Sequence, residues 1–79
     1  MNLIQEMTRS LNENLDSGSE IKLTTLKDDN HLLLNVISSS FNGMKKLQRH
    51  KLIYGILMEF FENEKIHALK MNLRTKDEI

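Results

Sequence analysis

The sequence predicts a two-layer α+β domain in which helices cover one face of a three-stranded mixed sheet. Three observations predict it. Leu3, Ile4, Met7, Leu11 and Leu15 recur at helical spacing, residues 20–26 alternate between apolar and polar, and a strand-like run at 31–38 is separated from another at 66–73 by one helix-length segment. A chain of 79 residues has room for one core, because a domain of this size buries only roughly 60 to 65% of its unfolded surface. Residues 1–79 are therefore expected to form one domain.

The first helix is expected from Leu3 to Leu15, with Asn2 as N-cap and its apolar residues on a single stripe. Asp16-Ser17-Gly18-Ser19 should end it, with Gly18 supplying a left-handed C-terminal conformation. Residues 20–26 put Ile21, Leu23 and Thr25 on one side and Lys22 and Thr24 on the other, the pattern of a half-buried strand. Lys27-Asp28-Asp29-Asn30 reads as a hairpin turn. The run from His31 to Ser38 is apolar on both faces apart from Asn35, as befits a central strand paired antiparallel with the first.

Ser38 to Gly43 leaves the sheet, and Lys46 to Glu62 should form the long helix. Leu47, Ile53, Ile56, Leu57 and Phe60 are expected on its buried side, with Lys51, Glu59 and Glu62 outside. Gly55 inside this helix suggests close packing against another backbone. Ile66 to Leu73 should return parallel to the second strand after the helical crossover. Thr75-Lys76-Asp77-Glu78 has the form of a capping box for one last helical turn.

Composition narrows the chemistry. Eleven basic residues balance eleven acidic ones, so nothing global attracts a polyanion and any cationic patch must be local. With no cysteine, the chain has no disulfide, no thiolate nucleophile and no means of building an all-Cys iron–sulfur site by itself. The N-terminal stretch has Glu6 early and no long apolar run, so it reads as neither signal peptide nor membrane span; a soluble cytoplasmic protein with no membrane partner is expected. No nucleophile and base are paired in the pattern, and Ser38-Ser39-Ser40 reads as turn capping, so the chain is expected not to be an enzyme.

The most specific pattern is a combination of motifs. Ser38 precedes the turn Phe41-Asn42-Gly43, Gln48-Arg49-His50-Lys51-Leu52-Ile53-Tyr54 follows, and Ile66-His67-Ala68-Leu69 begins the last strand. In this combination the chain resembles the BolA family, over nearly its whole length. The resemblance implies the same order of elements, a variant of the class II KH arrangement.

Taken alone, His67 reads as a strand-end histidine bonded to backbone. The resemblance implies instead that it ligates a [2Fe–2S] cluster shared with a monothiol glutaredoxin and glutathione. Relatives commonly supply a second ligand from the loop between the first two strands, where this chain has neither His nor Cys. His31 is the nearest candidate, with a structural strand-end role as the alternative, and Asp28 or Asp29 would offer oxygen donors that suit such a cluster poorly.

Lys45, Lys46, Arg49, His50 and Lys51 gather at the start of the long helix, where they could meet glutathione carboxylates, an acidic partner or phosphate. The alternative is that His50 caps the preceding turn or bonds the sheet, that Arg49 is solvated, and that Tyr54 is packing. The leading functional expectation is an adaptor in iron–sulfur trafficking or iron homeostasis, a monomer without cofactor when alone. A nucleic-acid-binding regulator that contacts DNA is the competing reading, and against it the Gly-x-x-Gly loop of KH modules is missing, since Phe41-Asn42-Gly43-Met44 offers a single glycine.

Overall fold

The computed structural model describes residues 2–26, 31–63, 66 and 68–78. Helix α1 spans Leu3–Asn14, strand β1 Glu20–Thr25, strand β2 His31–Ile37, helix α2 Lys46–Glu62 and strand β3 Ala68–Arg74. Single 3-10 turns at Ser39–Phe41 and Lys76–Glu78 complete the order. The sheet order is β1-β2-β3, with β1 antiparallel and β3 parallel to β2. No helix among the described residues is long and apolar enough to cross a membrane.

Strand alternation decides which face the helices cover. Leu23 pairs with Leu34, which pairs with Met71. That row and its neighbours Leu32, Val36, Leu69 and Leu73 face Met7 and Leu11 of α1 and Ile53, Leu57 and Phe60 of α2. Each Leu, Ile or Phe buried there contributes about 1.5–3 kcal/mol relative to exposure, the main stabilising term for so short a chain. The other face carries His31, Leu33, Asn35 and Ile37 on β2 and remains open, with the Asn72 amide donating to Asn35 Oδ1 at 3.0 Å.

Helix α1 begins as expected, with Asn2 Oδ1 accepting from the Gln5 amide at 2.8 Å. Its end differs. Gly18 is not left-handed; Leu15 leaves the helix extended and its side chain, 8% exposed, drops into the core. The following Asp16 amide donates to Ser40 Oγ at 3.0 Å, and the Ser39 hydroxyl donates to the Asp16 carboxylate. The left-handed glycine is Gly43, at φ 78°, where the chain turns from the Ser39–Phe41 segment toward α2.

The hairpin expected at 27–30 lies outside the described residues, though the Leu26 amide donates to the His31 carbonyl at 2.8 Å on its two flanks. Strand β3 begins at Ala68 rather than Ile66, and Ile66 is instead a buried core residue beyond the end of α2.

Leu47 corrects the expected buried side of α2, being 65% exposed. At 100° per residue it sits about 120° around the helix from Ile53, off the stripe that Ile53, Leu57 and Phe60 define. Gly55 is not in close contact with another backbone either; nothing lies within 4 Å of where its Cβ would be. Phe41, read from sequence as a turn residue, is fully buried.

Candidate functional site

The residues singled out from sequence fall at two ends of the sheet. A short connection through the Ser39–Phe41 turn joins β2 to α2, so α2 starts beside the C-terminal ends of the parallel pair and runs back toward their beginnings. Lys45, Lys46, Arg49 and His50 therefore gather near Leu73 and Arg74, whereas His31 pairs with Ala68 at the opposite end. Six residue steps at about 3.3 Å each put roughly 20 Å between the two groups, too far for one small ligand to touch both.

At the α2 end, the Lys45 amide donates to Gln48 Oε1 at 2.8 Å, which satisfies one of the open donors of the first turn. Lys45, Lys46 and Lys51 are exposed. The His50 side chain is half-buried and hydrogen-bonds to none of the described residues, so neither of the structural roles expected for it is seen. Tyr54 packs its ring 5.0 Å from that of Phe61.

Arg49 behaves differently from its neighbours. Its side chain is only 13% exposed and its guanidinium is engaged on every side. Nε donates to the Met44 carbonyl at 3.0 Å, and Nη1 donates to the Leu73 carbonyl at 3.1 Å and to Glu78 Oε1 at 2.7 Å. Nη2 donates to Glu78 Oε2 at 3.0 Å, and the guanidinium carbon lies 5.8 Å from the centre of the Phe41 ring. This is not the solvated helix cation considered from sequence; it is a clamp joining α2, β3 and the last turn.

Glu78 answers it by accepting the Thr75 amide through Oε1 at 2.8 Å, half of the expected capping box. The Arg49 hydrogen bonds, and then the Thr75 amide, hold the Glu78 carboxyl down at about 2; Glu78 in turn raises the Arg49 pKa. An open groove of about 530 Å³ lies over the clamp, lined on one side by Lys45, Lys46 and His50 and on the other by Met71, Asn72 and Arg74.

At the other end, His31 is exposed on the open face of β2. His67, Asp28 and Asp29 lie outside the described residues, but the residues flanking His67 are fixed: Ile66 is 3% exposed and Ala68 is registered on His31. Among the described residues no three His, Asp or Glu side chains are grouped as a metal site would need. With no cysteine in the chain, the donors present do not fit a complete iron–sulfur cluster.

Sequence reasoning missed the second task of Glu78, the clamp on Arg49, for which the Thr75-x-x-Glu78 spacing was the only signal. The serine run caps its own turn as expected, and what was missed is its staple to Asp16 and Ser19 beyond the end of α1. Ser38 is fully buried, and its Oγ accepts from the Ser40 amide at 3.0 Å and from Ser19 Oγ at 2.7 Å.

Comparisons with known proteins agree with this architecture. The profile of the BolA-like protein family matches residues 8–78. The UV-induced protein uvi31 of Schizosaccharomyces pombe is 32% identical over 71 residues, covering 86% of this chain and 69% of that protein. The protein of Haemophilus influenzae named DNA-binding transcriptional regulator BolA is 31% identical over 64 residues, covering 81% of this chain and 61% of that protein, so the chain spans less than two thirds of this relative. The solved structure of BolA1 from Arabidopsis thaliana superimposes with a TM-score of 0.90 at 26% identity, covering 100% of this chain and 98% of that one. The match of profile, curated relatives and backbone over almost all of the chain places it in the BolA-like family.

Proposed function

We propose that the chain is an adaptor that pairs with a monothiol glutaredoxin and donates an imidazole to a [2Fe–2S] cluster shared between the two proteins, in iron–sulfur trafficking or iron homeostasis. The observation that carries this reading is the Ile66-His67-Ala68 motif within the family match, anchored by buried Ile66 on one side and by the first residue of β3 on the other. His67 is the proposed ligand, and glutathione and the glutaredoxin supply the thiolates that this chain lacks. The shared cluster would bring electron-transfer or cluster-transfer chemistry; this chain contributes the imidazole and the surface that positions the partner.

The test is the visible spectrum of a glutaredoxin-held cluster titrated with this protein. The wild type should alter it, and His67→Ala should bind the glutaredoxin without altering it. An unchanged response in the bound variant would remove the assignment.

A second reading, a DNA-binding regulator, has the name of the Haemophilus relative and the exposed lysines Lys45, Lys46 and Lys51 in its favour. A neutral chain whose principal cation, Arg49, is internally paired has little to offer a phosphate backbone. Fluorescence anisotropy with duplex DNA at low and high salt separates the two readings.

A further inference from the structure

Among the described residues, three of the four large apolar side chains left exposed, Leu47, Tyr54 and Met58, lie on α2. They are seven and four residues apart, which places them within about 20° of one line along the helix. That line is turned well away from Ile53, Leu57 and Phe60; the half-buried Phe61 packs its ring 5.0 Å from that of Tyr54, and the three stripe residues stay 42–65% exposed. Gly55 adjoins the stripe near the midpoint of the helix, with nothing within 4 Å of where a Cβ would stand. The fold gives this glycine no internal reason, whereas close approach of a second helix would.

Charge selects the occupant. Lys51 borders the stripe in its first half and Glu62 borders it on the same flank in its second half, both of them exposed, whereas Glu59 stands about 120° round the helix from Leu47 and faces α1. We propose that this face is a self-association surface on which α2 of a second copy packs antiparallel, about a two-fold axis passing between Gly55 and Met58. In that arrangement Lys51 of each copy meets Glu62 of the other, the helix dipoles oppose, and the apolar residues interdigitate. A parallel pair would set Lys51 against Lys51, and a polyanion would meet Glu62. One helix from each copy buries less than the roughly 1,200 Å² of stable complexes, so the dimer is transient. This departs from the lone monomer expected from sequence and does not rest on the cluster reading.

Sedimentation velocity over a wide concentration series at low salt tests it. The wild type should shift toward dimer as concentration rises, and Lys51→Glu should weaken association about tenfold, as should Glu62→Lys. Mixing these two variants should restore association, because every cross-interface pair is then of opposite charge. Since the chain has no cysteine, Gly55→Cys should oxidise to a covalent dimer much faster than Lys22→Cys on the open sheet face. Monomer at every concentration, association indifferent to the charge exchanges, or equal oxidation rates at the two positions would each overturn the proposal.

Discussion

Arg49 and Glu78 form a two-pronged pair, Nη1 to Oε1 at 2.7 Å and Nη2 to Oε2 at 3.0 Å, which ties the first turn of α2 to the last turn of the described chain. The groove above it is therefore shaped by a fixed guanidinium, with Lys45, Lys46 and Arg74 as the other strong cations along its walls.

The pair makes stability depend on acid. The Glu78 carboxyl is lowered from an ordinary 4.5 to about 2, so its contribution is fully present above about 4.5 and is lost as pH falls toward 2. Glu78→Gln should lower the midpoint of thermal unfolding at neutral pH, and the gap from the wild type should close between those two values. Circular dichroism melts across that range check it; a gap independent of pH would show that the carboxylate charge does not matter.

Two glycines should respond in opposite directions. Gly55→Ala fills open space on a helix and should stabilise by about 0.5–1 kcal/mol, read at low protein concentration. Gly43→Ala forces a Cβ into a backbone at φ 78° and should destabilise by about 1 kcal/mol, whatever the space around it. Urea unfolding of the two variants decides.

Phe41→Ala should be severe, about 3–5 kcal/mol, because the ring is fully buried and also lies beneath the Arg49 guanidinium. Denaturant titration measures the loss. A value near that of an exposed turn residue would contradict the buried position.

The cationic role of the α2 start is best tested with Lys45→Glu and Lys46→Glu together, since both are exposed, whereas changing Arg49 would also break the clamp. Association with a glutaredoxin should slow in the double variant, more at low ionic strength than at high. Stopped-flow rates at two salt concentrations give the answer.

His31→Ala should leave the proposed cluster spectrum intact. His31 is exposed on the open face of β2, and no three His, Asp or Glu side chains are grouped there among the described residues. Loss of the spectrum in this variant would make His31 the second ligand.

Local patterns along the chain account for the elements and their pairing. Helical spacing through Leu3, Met7 and Leu11, alternation through Ile21 and Leu23, and a helix between two apolar strands leave few ways to bury one core, and the motif from Ser38 to Ala68 pointed to the family. These signals are local, because period and turn chemistry act within a few residues. Only the tertiary structure decided that Arg49 is a clamp and not a free cation, since Glu78 lies 29 residues away and meets it only once the sheet has formed. The same holds for Leu47 and Gly55, whose surroundings follow from how α2 is rotated against the sheet. It holds too for the separation of the lysines from His31, which follows from the direction in which α2 runs back along two parallel strands. Such contacts are fixed by packing between distant segments, which no local pattern encodes.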